Sequence, residues 1–365
     1  MRALRGAGLR PAALCVALLI LLLNCGGSRQ NDPPVASDEN LQLALEQTID
    51  NAVLPAVADF YQQAAAYADT AQGFCSQLNE TGLQALQAQW RLVFLQWYRL
   101  ANYNFGPLTS DIVFPAYTFI DSLRLRGTDY TETVRSEIST DMAASWELND
   151  AWFAGKTFQR VGLLALESLS FETAASEHSQ AVADILAEYG NAPRKCDILQ
   201  GLARQLAARA ESVYLGWVDD FSDSGEAYRD LFLSAQLDDG AAPLSLLIVS
   251  VQEYMDYLHG RNVVLIGGQI SAAIWDAMAA SIDEVALLLE GSENTSVSFA
   301  DIMESTGNLV ALETVRATIA AARQSITDQD ASVLEIRLGQ LDGHFKREIP
   351  DSLDIELGIN FSDGD

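Results

Sequence analysis

Glu167, a single carboxylate in a strongly apolar stretch, is the residue of this chain that is most strongly indicated as a functional group. The stretch runs from Lys156 to Phe171 and reads KTFQRVGLLALESLSF. Read as a helix, it places Glu167 on one face with Leu163 and Leu164, because residues three and four apart are neighbours. A carboxylate among apolar side chains must accept hydrogen bonds, be protonated or bind a metal. The simplest interpretation is one hydrogen-bonded glutamate in a helical core.

Gly162 is an unfavourable residue inside such a helix, where it costs roughly 1 kcal/mol relative to alanine. A glycine at this position indicates that another backbone approaches the helix closely. We therefore expect another backbone segment to lie close to the helix at Gly162.

The same stretch resembles a known family motif. The run from Gly162 to Glu167, GLLALE, resembles the G-x-H-x-x-E motif of the imelysin-like proteins, a bacterial envelope family first described as insulin-cleaving metallopeptidases. The resemblance assigns Gly162, Leu164 and Glu167 to the motif positions. Leu164 stands where the family has histidine, and leucine cannot coordinate a cation. We therefore expect no metallopeptidase activity from this chain.

Other parts of the chain also resemble the imelysin-like family. They are two tryptophans, a Phe-Gly-Pro turn, the acid-containing segment after it and the C-terminal residues: Trp90, Trp97, Phe105-Gly106-Pro107, Asp111 to Asp121 and Asp363-Gly364-Asp365. Large aromatic residues at helical spacing are usually core residues. The acids Asp111 and Asp121 could converge on Glu167, and carboxylates alone can hold a hard cation such as calcium or ferric iron. The candidate metal ligands are therefore Glu167, Asp111 and Asp121.

Three classes of function remain. The carboxylates and the family association favour a non-catalytic envelope lipoprotein that binds a ligand in the acquisition of iron or another metal, with metal-uptake proteins of the envelope as partners. The alternatives are a metallopeptidase of the imelysin type, and a structural or interaction module whose ancestral site has decayed. The chain has no H-E-x-x-H pair, no G-x-S-x-G turn and no phosphate-binding loop, so the common zinc-protease, serine-hydrolase and nucleotide sites are excluded.

Residues 1–25 have the pattern of a targeting segment. Arg2, Arg5 and Arg10 precede an apolar run, residues 12–23, that is too short for a stable membrane span. Cys25 directly follows this run and resembles the lipid-bearing cysteine of bacterial lipoproteins. We expect Cys25 to anchor the chain in lipid on the periplasmic face of the outer membrane. An ordinary secretory signal with a coincidental cysteine is the alternative.

The composition narrows the range of partners. The chain has 22 lysines and arginines against 50 acidic residues, a net charge of −28, and the leader removes three arginines and no acid. Such a surface repels nucleic acid and anionic lipid headgroups, so neither is an expected partner of the folded region.

Two cysteines, Cys75 and Cys196, lie in the expected folded region. An even pair in an exported protein predicts a disulfide, which would remove on the order of 4–5 kcal/mol of unfolded-chain entropy. The alternative is a two-cysteine metal site, but His178, His259 and His344 are scattered and none is near either cysteine in sequence.

Apolar residues at helical spacing recur from Leu41 to His344, which predicts an all-α fold. The resemblance implies two packed four-helix-bundle-type domains. We divide the chain into a leader (1–25), a tether (26–40), a first helical domain with the degenerate motif (41–200), a second helical domain (201–350) and an acidic tail (351–365). The run Val263 to Ile266, before two glycines, is the one strand-like segment.

Overall fold

The structure of this chain is a computed structural model. Its regular structure is helical and runs from Asp38 to Leu353. The structure describes residues 36–111, 113–124, 127–237 and 240–357. Within these ranges there is no strand, so the predicted all-α class is confirmed. The expected leader with Cys25, most of the expected tether and the end of the acidic tail, including Asp363-Gly364-Asp365, lie outside the described residues.

The α-helices are joined by turns and loops. They are α1 (Asp38–Thr48), α2 (Leu54–Ser76), α3 (Glu80–Leu100), α4 (Ala116–Ile120), α5 (Thr131–Ala143), α6 (Asp150–Ala154), α7 (Gly162–Phe171), α8 (Val182–Asn191), α9 (Arg194–Val218), α10 (Tyr228–Leu233), α11 (Pro243–Gly260), α12 (Val263–Ile266), α13 (Ile274–Glu290), α14 (Phe299–Ser305), α15 (Leu309–Thr327), α16 (Ala331–Lys346) and α17 (Glu348–Leu353). In the part of the chain just described, none of them is long and apolar enough to cross a membrane.

Helices α2, α3, α7 and α9 pack as the first four-helix bundle. The apolar stripe of α3 shows why: its buried residues recur every three or four positions, at Leu83, Leu86, Trp90, Val93, Phe94 and Trp97. A disulfide between Cys75 on α2 and Cys196 on α9, with the Cα atoms 5.6 Å apart, ties this bundle together. The predicted disulfide is therefore confirmed.

Helices α11, α13, α15 and α16 pack as the second four-helix bundle, and α13 also packs on α3 of the first. Both bundles belong to the compact unit that begins at Val35. Helix α9 packs on α2 and α7, and it continues through residues 200 and 201, where the sequence suggested a domain boundary. Its apolar pattern does not stop there, because Leu199, Leu202 and Leu206 are all buried.

Two segments differ from the sequence-based expectation. The expected strand from Val263 to Ile266 is one turn of helix, closed by a hydrogen bond from the Gly267 N–H to the Val263 carbonyl. The apolar spacing from Val297 to Gln324 predicts one helix, but this segment contains two, α14 and α15. Gly307 adopts a left-handed conformation between them, with φ at 85°, and this conformation cannot continue a right-handed helix.

Candidate functional site

The motif helix α7 begins at Gly162, and its backbone requires a glycine there. Gly162 has a positive φ of 76°, which residues with a side chain rarely adopt. A Cβ atom would lie 2.4 Å from the carbonyl oxygen of Ile120 and 2.6 Å from that of Phe119. The predicted close approach of another backbone is therefore confirmed. The predicted helical start at Lys156 is wrong, because the left-handed Gly162 separates α7 from the 3-10 turn before it.

Glu167 lies on α7 with only 2% of its surface exposed. Its Oε1 atom accepts two hydrogen bonds from Ser271, one from the backbone N–H at 2.8 Å and one from the hydroxyl at 2.7 Å. Burial raises the pKa of Glu167 to about 7; the hydrogen bonds from Ser271 oppose the rise, and the carboxylates of Glu172 and Asp121 add to it. Glu167 therefore changes its protonation near neutral pH.

The turn that carries Ser271 connects α12 to α13 and packs on α3 of the first bundle. The Ser271 carbonyl accepts a hydrogen bond from Arg91 Nη2 on α3 at 3.2 Å. Gly268 has a positive φ of 57°, and a Cβ there would lie 2.8 Å from a ring carbon of Phe94. The glycine pair after α12 thus permits close packing on α3. Sequence reasoning missed Ser271 because it lies 104 positions from Glu167 in a segment without periodicity.

A narrow cavity of about 10 Å³, enough for a single water molecule, lies beside Glu167. Its lining combines apolar side chains, one glycine and three acids: Trp90, Phe94, Asp121, Leu123, Asp129, Leu163, Leu164, Glu167, Ile266 and Gly268. Leu164 and Glu167 therefore face the same space. An apolar side chain stands in this cavity at the position where the motif has an imidazole.

Asp121 lies at the same cavity as Glu167, as the sequence suggested. It is 7% exposed, and its Oδ2 accepts a hydrogen bond from the indole N–H of Trp97 at 2.9 Å. Its Oδ1 accepts the Leu123 backbone N–H at 3.1 Å. The bond from Trp97 holds the chain after α4 against α3, and the bond from Leu123 closes a local turn.

Asp111, the third candidate ligand, is not among the residues that line this cavity. It is exposed, and its Oδ1 accepts the backbone N–H groups of Val113 and Phe114 at 2.9 and 3.0 Å, which forms a local turn. Asp129 lines the cavity instead. Its Oδ1 accepts two hydrogen bonds from Thr131 at the start of α5, one from the backbone N–H at 2.9 Å and one from the hydroxyl at 2.6 Å.

The residues at this cavity do not fit a tightly bound metal ion. Asp121 and Glu167 each accept two hydrogen bonds from protein donors, and the cavity is only about 10 Å³. Calcium takes six to eight oxygen ligands, and zinc takes about four, usually including nitrogen or sulfur. Across the described ranges, no group of three or more His, Cys, Asp or Glu side chains is placed to hold a metal.

A buried ion-pair network orders the C-terminal end of α7. Glu172, 1% exposed, accepts a bidentate pair of hydrogen bonds from Arg135 at 2.9 and 2.6 Å and a third from the Ser168 hydroxyl at 2.7 Å. The ammonium of Lys195 binds the Glu188 carboxylate and donates to the Glu172 carbonyl at 3.1 Å. Every charge in this network is paired, so it stabilises the fold and leaves no group free for chemistry.

Comparison with known proteins places this architecture in a family. The sequence model of the imelysin family matches residues 53–354. An imelysin-like protein from Psychrobacter arcticum 273-4 is similar in structure, with a TM-score of 0.62 and 16% identity over 89% of this chain and 100% of that one. A putative iron-regulated protein A precursor from Parabacteroides distasonis ATCC 8503 has a TM-score of 0.62 and 11% identity over 89% of this chain and 97% of that one. No curated protein matches this chain.

The family match spans both bundles, from the start of α2 to the end of α17, and it includes the motif positions Gly162, Leu164 and Glu167. Because it covers most of the chain, it does not depend on the motif alone. This chain belongs to the imelysin family.

Proposed function

We propose that this protein is a non-catalytic imelysin of the bacterial cell envelope that serves metal acquisition by binding and not by cleaving. The observation that carries the proposal is the position of Leu164. It lines the same cavity as Glu167, where a second metal ligand would have to stand. The ligand bound in this function is not held by the motif cavity, because that cavity has room for about one water molecule.

The metallopeptidase alternative requires a firmly held cation with one coordination position open for water. Leu164 stands at the cavity where a nitrogen ligand would be needed, and in the described ranges no group of three or more His, Cys, Asp or Glu side chains is placed to hold such a cation. The motif carboxylate links the two bundles through its hydrogen bonds with Ser271, and we call such a contact between the bundles a joint. It connects α7 to the turn before α13.

The link to iron rests on relatives. A structurally similar protein is named as iron-regulated, and another as imelysin-like. The location in the envelope rests on the sequence of the leader, in which Cys25 is the expected lipid attachment point on the periplasmic face of the outer membrane. The disulfide between Cys75 and Cys196 agrees with an oxidising compartment outside the cytoplasm.

The first test measures cleavage and metal binding in the full chain. The wild type is expected to show no metal-dependent cleavage of an unfolded protein substrate. Leu164→His completes a histidine and glutamate pair one helical turn apart and is expected to gain zinc affinity that Glu167→Gln removes again. Leu164→Met, similar in size but without a nitrogen ligand, is the matched control. Wild-type cleavage that a chelator and Glu167→Ala both abolish would refute the non-catalytic assignment.

The second test addresses metal acquisition in the host. A strain lacking this protein is expected to take up less radioactive iron under iron limitation. The wild type and Glu167→Gln should both restore uptake, whereas Cys25→Ala should move the protein from the membrane fraction to the soluble periplasm. Unchanged uptake in the deletion strain would contradict a role in iron acquisition. Failure of a folded Glu167→Gln variant to restore uptake would show that the motif carboxylate acts directly.

A further inference from the structure

A pocket of about 490 Å³ lies where the loop after α9, helix α10 and the start of α11 meet the turn after α3, and we propose that it binds a small organic cation with an apolar body. The lining residues that matter for the argument are Phe105, Phe221, Tyr228, Ser222, Ser224 and Leu246. We call this space the aromatic pocket. Its volume lies in the range typical of small-molecule sites, whereas the cavity at Glu167 does not. The proposal goes beyond the proposed function and does not depend on the motif.

Three aromatic rings line the aromatic pocket, those of Phe105, Phe221 and Tyr228, and the buried Trp217 packs against Tyr228. The Tyr228 ring centroid lies 4.8 Å from that of Phe221, 5.0 Å from that of Trp217 and 6.3 Å from that of Phe105. Tyr228 and Phe105 are almost fully buried, and Phe221 is half-buried. Rings held rigidly by one another attract a cation placed over their faces, and tyrosine and phenylalanine both do so.

The backbone around the aromatic pocket is shaped for close packing. Gly106 has a positive φ of 59°, and a Cβ there would lie 2.4 Å from the Tyr228 ring. Ser222, Asp223 and Ala235 are three of the eight non-glycine residues with positive φ in the described ranges. Ser222 lines the pocket, Asp223 lies between two lining serines, and Ala235 precedes the lining residue Gln236. Unusual backbone conformations concentrate at ligand sites, which agrees with a built pocket.

The charge around the aromatic pocket favours a cation. Residues 219–230 supply four of the lining residues and also carry five exposed acids: Asp219, Asp220, Asp223, Glu226 and Asp230. The only basic residue from 219 to 237 is Arg229, and its guanidinium is paired with Asp50 at 2.6 Å and with Asp230 at 2.8 Å. A negative potential beside aromatic side chains concentrates cations and repels anions. Four lining hydroxyl groups, on Thr109, Ser110, Ser222 and Ser224, can turn their oxygen lone pairs toward a positive charge.

The test compares three probes that share one benzene ring and differ in charge: benzyltrimethylammonium, benzyl alcohol and benzoate. Calorimetry on the full chain is expected to give the cation an affinity about tenfold higher than the alcohol, because the ring and acid contacts act only on a charge. Benzoate should bind more weakly than the alcohol. The affinity for the cation should fall as salt is raised, since exposed acids contribute to it.

Two variants locate the site. Phe221→Leu keeps an apolar side chain but removes a ring, and should weaken binding of the cation about tenfold while leaving the circular dichroism spectrum unchanged. Asp223→Asn should weaken it about twofold to threefold and reduce the salt dependence, since asparagine tolerates a positive φ. Glu293→Gln, an exposed acid that does not line the pocket, is the matched control and should change nothing. Three outcomes would each overturn the proposal. The three probes could bind with equal affinity, or Phe221→Leu could leave binding of the cation unchanged. An oligolysine peptide could also bind more tightly than the small cation.

Discussion

Two buried glutamates join the bundles of this protein, and their carboxylates are held in opposite ways. Glu284 on α13 accepts a hydrogen bond from the guanidinium of Arg99 on α3 at 2.8 Å and another from the hydroxyl of Tyr103 at 2.8 Å. Glu167 on α7 reaches the turn before α13 and accepts its bonds from the uncharged Ser271. Both residues are 2% exposed. One joint therefore contains an ion pair, and the other contains a carboxylate without a cation.

The two carboxylates differ in which groups oppose the effect of burial on the pKa. Burial raises the pKa of Glu284, and the guanidinium of Arg99 opposes that rise and favours the charged form. Burial also raises the pKa of Glu167 to about 7, but only neutral donors oppose it. In the family motif, a histidine one turn before the glutamate would supply a metal and hence a positive charge. The carboxylate of Glu284 thus lies beside the positive charge of Arg99, whereas the carboxylate of Glu167, at the motif position, is held by a neutral serine.

The largest expected effect comes from the backbone that supports Glu167. Gly162→Ala should lower the free energy of unfolding by about 4 kcal/mol, because it adds left-handed strain to a clash with two carbonyl oxygens. Urea denaturation measures this. Gly190→Ala on α8, where a Cβ meets nothing within 4 Å, should be neutral or stabilising by up to about 1 kcal/mol. Similar results for the two variants would mean that α7 does not depend on its close contact with α4.

The ion pair of the second joint should give the next largest effect. Arg99→Met leaves Glu284 buried without its cation and should cost about 3 kcal/mol of unfolding free energy, with Tyr103 still donating one hydrogen bond. Arg316→Met breaks an exposed pair with Glu290 and should cost less than about 1 kcal/mol. A loss at Arg99 as small as that at Arg316 would remove the contrast between the two joints.

The sequence predicted the features that depend on periodicity or on one residue type. The helical pattern gave the all-α class, the apolar neighbours of Glu167 predicted its burial, and Gly162 predicted a close backbone. The even pair of cysteines in an exported chain predicted the disulfide. Each of these follows from local sequence or from simple counting.

The sequence could not predict the features that depend on contacts between distant segments. Ser271 lies in an irregular turn, and nothing in its neighbours indicates that its hydroxyl meets Glu167. Asp111 and Asp121 both looked like ligands, but only Asp121 lies on the side of the chain that packs against α3. Val263 to Ile266 is too short for periodicity to distinguish a strand from a helical turn. Long-range packing decides all three cases.

The last prediction concerns how the stability of Glu167→Gln depends on pH. The difference in the free energy of unfolding between this variant and the wild type should be smallest near pH 5 and should grow as the pH rises. Because the folded pKa of about 7 lies above the ordinary 4.5, Glu167 contributes its stability below about pH 4.5, and this contribution is lost as the pH rises through about 7. The wild type should therefore become less stable relative to Glu167→Gln across this window, by about 3 kcal/mol at most. Urea denaturation of both proteins from pH 4.5 to 8 measures the difference. Glu284→Gln is the control, and it should destabilise the protein throughout, since it leaves Arg99 without its buried partner. If Glu167→Gln instead destabilises the protein increasingly at high pH, Glu167 has a positive partner in solution, and the two joints are alike.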